Sequence, residues 1–72
     1  MSPVFDLEEA RVNRGLSLRA AAREIGVDWK TLRRAERGDH RPQARNAFRI
    51  ARFYGLQVTD IWPLEPTEGA AA

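Results

Sequence analysis

Between Ser17 and Gly38 the chain reads SLRAAAREIGVDWKTLRRAERG, a stretch with a start signal, a stop signal and a second start signal in quick succession. A serine hydroxyl at position 17 can accept from a backbone N–H left unpaired at a helix start, and the Ala- and Arg-rich run behind it favours helix. Gly26 allows the positive φ through which a chain leaves a helix, so this helix should end near Ile25. Val27 then packs back, and Asp28 caps the next helix.

Two capped helices this close together are the signature of a helix-turn-helix. On the second of them, Leu32 and Ala35 lie three apart and share a face, whereas Lys30, Arg33, Arg34 and Arg37 follow the i, i+3, i+4, i+7 rule on the other side. One face is built to bury and the other to meet something negative. A merely solvated face mixes signs so that neighbours pair along the helix. Here the segment from Trp29 to Arg52 carries eight Lys or Arg against two acids, Glu36 and Asp39, a local balance of +6.

With 72 residues the chain has room for one domain and none for a large enclosed active site, so stability must come from close packing of short helices. It contains no cysteine, which removes disulfides and thiolate zinc sites and suits a cytoplasmic protein. No apolar run approaches the ~20 residues of a membrane span, and MSPVFDLEE lacks the basic-then-apolar order of a signal peptide. The formal net charge is only +2, but eleven of the cations are arginines, whose rigid fork matches phosphates and guanine edges.

In chain order, the first helix is expected from about Asp6 to Arg14. Asp6 with Glu9 offers a capping box, and Ser2-Pro3 an earlier start. Leu7 and Ala10 point inward, with Arg11 beside them. Gly15 ends this helix and Leu16 enters the core. Ala21, Ala22 and Ile25 face inward from the second helix, with Arg19 and Arg23 outside. The small residues at 10, 21 and 35 call for large ones elsewhere, for which Phe48, Tyr54, Ile61 and Trp62 are the candidates. Residues 38–42 form a loop. Its His40, the sole histidine, has no second ligand at metal-binding spacing and reads as a surface residue.

A fourth helix is expected from Gln43 or Ala44 to Tyr54, with an apolar stripe of Ala44, Ala47, Phe48, Ile50, Ala51 and Tyr54. Arg45 lies in its first turn, whereas Arg49 and Arg52 read as solubilising. Gly55 ends it, and Leu56 to Trp62 reads as a short fifth helix stopped by Pro63. The domain is thus expected over residues 1–64, with 65–72 a flexible tail. Trp62, Pro63 and Leu64 offer either an exposed apolar patch for a weak homodimer or, for Trp62, core packing.

The run GVDWKTLRRAERG at Gly26 to Gly38, the preceding Gly15-Leu16-Ser17, and LQVTDIW at Leu56 to Trp62 resemble the Cro/repressor-type helix-turn-helix domain of phage repressors and xenobiotic-response-type regulators. The resemblance spans roughly Leu7 to Trp62. It implies an all-α, compact five-helix bundle of the lambda-repressor-like kind, in which Arg11 pairs with Glu36. It also implies that the third helix enters the DNA major groove, with Trp29, Lys30, Arg33 and Arg34 facing bases. Lys30 and Arg34 suit guanine O6 and N7, and Arg33 a base or a phosphate. Trp29 replaces a residue that is usually polar, and would press on a thymine methyl or pack against the end of the first helix beside Arg11.

Phosphates would fall to Arg37, Arg41 and Arg45 and to helix N-termini. Thr31 would turn toward the second helix or a phosphate. The family often has a phosphate-touching glutamine where this chain has Leu18, so Ser17, Arg19 or Arg23 would supply that contact.

The expected function is therefore a sequence-specific double-stranded DNA-binding transcriptional regulator, a small phage- or bacterial-type repressor. No cofactor, metal or small-molecule effector is implied. Enzymatic activity is not expected, since there is no paired carboxylate set, no Ser/His/acid set and no glycine-rich phosphate loop. The competing class is a protein-interaction module, such as the antitoxin of a toxin-antitoxin pair, because the same bundle can grip a protein. An apolar exposed face would favour that class; a cationic one favours nucleic acid.

Overall fold

The computed structural model describes residues 5–39 and 41–63. His40, the Ser2-Pro3 helix start, Leu64 and the expected tail lie outside the described residues. Five helices follow one another without strands among the described residues: α1 (Leu7–Asn13), α2 (Leu18–Ile25), α3 (Trp29–Arg37), α4 (Ala44–Phe53) and α5 (Val58–Ile61). The fold is all-α, a five-helix bundle containing a helix-turn-helix. No described helix is long and apolar enough to cross a membrane.

Local chemistry explains most boundaries. Asp6 accepts from Glu9 N at 3.0 Å and Ser17 Oγ accepts from Ala20 N at 3.1 Å, so both residues cap the helices they precede. Gly26, at φ 93°, ends α2 in the left-handed region, with its own N–H and that of Val27 both reaching Ala22 O. Gly38, at φ 73°, ends α3 the same way, with Arg34 O accepting from Gly38 N and Asp39 N.

Asp28 departs from expectation. It occupies the N-cap position of α3 with extended backbone, but its side chain makes no capping hydrogen bond. The fifth helix is also shorter than the Leu56–Trp62 span. Gln57 is its extended N-cap residue, whose N–H donates to Asp60 Oδ2 at 2.9 Å, and Trp62 already leaves the helix.

The core joins Leu7 of α1, Ala21, Ala22 and Ile25 of α2, Leu32 and Ala35 of α3, Ala47, Ile50 and Ala51 of α4, then Tyr54, Ile61 and Trp62. Trp62 is wholly buried, which settles its two readings in favour of the core and removes the largest member of the supposed C-terminal patch. Phe48 is the clear correction: it is 58% exposed, and Ala44 is exposed too.

Helix geometry gives the reason. Ala47, Ile50, Ala51 and Tyr54 define the buried face of α4, and at 3.6 residues per turn Phe48 and Phe53 each sit about 110° from its centre, on opposite sides. Among the described residues, only Phe53 has an aromatic or cationic neighbour. Its ring lies edge-on to Tyr54 at 5.0 Å, and Arg14 stacks at 4.9 Å from both rings while donating to Phe53 O at 3.1 Å. Phe5 closes the other side of Tyr54 at 6.1 Å. The bulk that the small residues require comes from Tyr54, Ile61 and Trp62, with Phe5 and Phe53 where Phe48 was expected.

Candidate nucleic-acid interface

α3 packs chiefly against α2 and also reaches α1. Leu32 and Ala35, at 0% and 1% exposure, hold its inner face. Their burial turns Lys30, Arg33, Arg34 and Arg37 outward, and all four are exposed. Among the described residues no ion pair or side-chain hydrogen bond engages any of them.

The one acid within α3 is withdrawn from this ridge. Arg11 Nε donates to Glu36 Oε2 at 2.8 Å and Arg11 Nη2 to Glu36 Oε1 at 3.3 Å, a two-point contact between side chains only 13% and 6% exposed. The hydrogen bond to Glu36 pushes the Arg11 guanidinium further above its already high ordinary range, against the opposing effect of burial. Arg11 also donates through Nη1 to Leu16 O at 3.0 Å, so a single side chain ties α1, the following turn and α3 together. With Glu36 spent inward, the outer face of α3 keeps four cations; Asp39 stands just past its end.

Trp29 opens the ridge. It is half-buried against the core, and its neighbour is α2 rather than the end of α1: Arg19 Cζ lies 4.8 Å from its ring centroid and Lys30 Nζ 5.8 Å. Thr31 lines an open cleft between α3 and the start of α4, together with Arg34, Arg41, Pro42, Gln43 and Asn46. Gln43 and Asn46 escaped the sequence reading; they lack charge, and their place beside Thr31 follows from the loop path alone. Ser17 and Arg19 lie exposed at the start of α2, Arg41 and Arg45 at the start of α4, and Arg37 at the end of α3.

Arg49, exposed as expected of a solubilising residue, also makes a specific contact. Its Nη1 donates to Gly26 O at 2.8 Å, so α4 grips the turn that sets the angle between α2 and α3. No periodic pattern betrays a bond between residues that far apart.

A ridge of this kind has the right form for a duplex. An α-helix with its side chains is about 10–12 Å across, close to the ~12 Å width of the DNA major groove.

The helix-turn-helix family model matches residues 7–61. A helix-turn-helix-type transcriptional regulator of Methanocaldococcus jannaschii, itself described as uncharacterised, is 32% identical over 62 residues, which is 86% of this chain and 94% of the relative. A second such regulator, from Archaeoglobus fulgidus and also described as uncharacterised, is 27% identical over 62 residues, 86% of this chain and 89% of the relative. No solved structure gives a significant match. On the breadth of the family match and the near-complete overlap with the first of these relatives, the chain belongs to the Cro/C1-type helix-turn-helix family.

Proposed function

We propose that this protein is a sequence-specific double-stranded DNA-binding transcriptional regulator, a small repressor of the phage or bacterial type acting in the cytoplasm. The observation that carries the reading is the α3 ridge: four exposed cations without an acidic partner among the described residues, held outward by Leu32 and Ala35. The two relatives carry transcriptional-regulator names, which supports the same reading.

In the proposed complex α3 lies in the major groove. Lys30 and Arg34 donate to guanine O6 and N7, and Arg33 reaches a base edge or the adjoining phosphate. Arg37, Arg41 and Arg45 hold the sugar-phosphate backbone, with Ser17 and Arg19 on the α2 side and Thr31 at the cleft beside α4. Phosphate contacts position the protein, and the base contacts of α3 supply the sequence information.

An apolar exposed face would favour an interaction module of the antitoxin kind. Among the described residues the exposed large hydrophobics are Val12 and Phe48, and neither lies on α3. Single exposed apolar residues are ordinary on a soluble surface.

Selection of bound sequences from a random duplex pool at two salt concentrations tests the proposal. The expected result is enrichment of a guanine-containing motif that persists at the higher salt, with paired half-sites ~34–36 Å apart if two copies bind. Recovery of unenriched DNA at low salt and none at high salt would show a non-specific polycation instead.

A further inference from the structure

We infer that Trp29 is a positioning residue for Arg19: its indole face holds this α2 guanidinium at the rim of the basic ridge, with the N–H donors left free for a DNA phosphate. The inference rests on the DNA reading above.

Three observations lead to it. Arg19 is exposed, and no hydrogen bond or ion pair among the described residues engages it. Its only specific partner there is the Trp29 ring, 4.8 Å from Cζ to the centroid, well inside the ~6 Å reach of a cation–π contact. The ring is itself half-buried and packed on the core, so it is a fixed platform.

Stacking uses the plane of a guanidinium and leaves its N–H groups pointing outward from the edge. An unrestrained surface arginine must lose rotamer freedom on meeting a phosphate; one already resting on an indole has lost much of it beforehand. Arg19 sits at the second position of α2, beside the Leu18 that replaces the expected phosphate-touching glutamine. Trp29 and Arg19 together would restore that contact by another route. Lys30 Nζ, at 5.8 Å from the same ring, lies near the limit of the interaction and is held more weakly.

The competing role for Trp29 is a direct base contact, in which the indole meets a thymine methyl. The two differ in what they read: a positioned phosphate contact is blind to sequence, whereas a methyl contact is not.

The test measures dissociation constants of the full chain for the selected duplex and a scrambled one, with Arg19→Ala, Trp29→Leu, Trp29→Phe and the Arg19→Ala/Trp29→Leu double variant. Arg19→Ala should weaken binding about tenfold, the scale of one charge-assisted hydrogen bond, and equally for both duplexes. Trp29→Leu should weaken it about fivefold in the wild-type background and no further in the Arg19→Ala background. Trp29→Phe keeps an aromatic face and should retain most of the affinity. In the free protein, the Arg19 δ-proton resonances should be shifted upfield by the indole ring current, and the shift should vanish in Trp29→Leu.

Additive losses, a Trp29→Leu defect confined to one base pair, or Arg19 resonances identical in wild type and Trp29→Leu would each overturn the inference while leaving the DNA reading intact. A wild-type chain that binds no duplex would overturn the DNA reading, and this assignment with it.

Discussion

Arg11 and Glu36, twenty-five residues apart in sequence, meet through two hydrogen bonds of 2.8 and 3.3 Å that fasten the first helix to the last turn of the third. Both side chains are mostly buried, so each is the other's replacement for water. Removing one leaves a desolvated charge alone, which costs far more than the pair contributes on balance. Glu36→Ala is expected to lower unfolding free energy by about 3 kcal/mol, at the low end for buried pairs because the contact still touches solvent. Arg11→Met should cost about 1 kcal/mol more, since Leu16 O then loses its donor as well. The double variant should recover part of the loss. Urea denaturation of the set decides it: single-variant losses below those of surface controls would show that the pair is only decorative.

Arg49 makes a second long-range tie, to the Gly26 carbonyl at 2.8 Å. This bond lies at the surface, so its expected worth is that of an ordinary exposed hydrogen bond. Arg49→Ala should cost about 1 kcal/mol, whereas Arg52→Ala, on the same helix and without such a bond among the described residues, should stay within about 0.5 kcal/mol of wild type. Equal effects from the two substitutions would leave Arg49 a merely solubilising residue.

The helices and their turns could be read from sequence because their causes are local: Ser17 and Asp6 cap within three residues, and Gly26 and Gly38 take positive φ where the chain must turn. The inward face of α3 was equally legible, since Leu32 and Ala35 obey helix periodicity. What sequence could not supply depends on which surfaces meet. Phe48 and Phe53 are equivalent by angle on α4, and the nearness of Arg14 and Tyr54 separates the half-buried ring of Phe53 from the exposed one of Phe48. The Arg11–Glu36 bond came from family resemblance, not from spacing. The Arg49–Gly26 and Arg14–Phe53 bonds had neither signal, because a side chain reaching a distant carbonyl leaves no periodic trace. Trp29 was open for the same reason: its place against Arg19 is decided by how α2 and α3 cross.

Tyr54 is the single tyrosine, and its hydroxyl is buried without a hydrogen-bond partner among the described residues. Burial, helped by the negative charge of Glu36 and opposed by Arg14 and Arg11, pushes its pKa above the ordinary 10.0. The folded state then holds the phenolic proton more tightly than the unfolded state does. Its contribution is fully present below pH 10.0 and is lost as pH rises from there through the folded-state value. The urea midpoint should therefore fall above that pH in wild type and stay flatter in Tyr54→Phe, which near neutrality should be no less stable because it removes an unpaired polar atom. Parallel alkaline declines in the two proteins would place the cause elsewhere.

The proposed DNA footprint separates into two kinds of contact that respond differently to substitution. Lys30 and Arg34 project from the α3 ridge, where a charged donor can meet the guanine edge. Lys30→Ala or Arg34→Ala should each cost about 1–3 kcal/mol on the selected duplex, and each should relax preference at one base pair. Arg45 lies in the first turn of α4, off the ridge, where a phosphate is the available partner. Its loss should weaken all sequences alike and flatten the slope of log affinity against log salt by about one. Binding profiles across single-base variants, repeated over a salt series, measure both quantities at once. If the α3 variants lowered affinity evenly for every sequence, the ridge would be an electrostatic handle and the bases would be read elsewhere; if Arg45→Ala changed base preference, α4 would have to lie deeper in the groove than its first turn reaches when α3 occupies it.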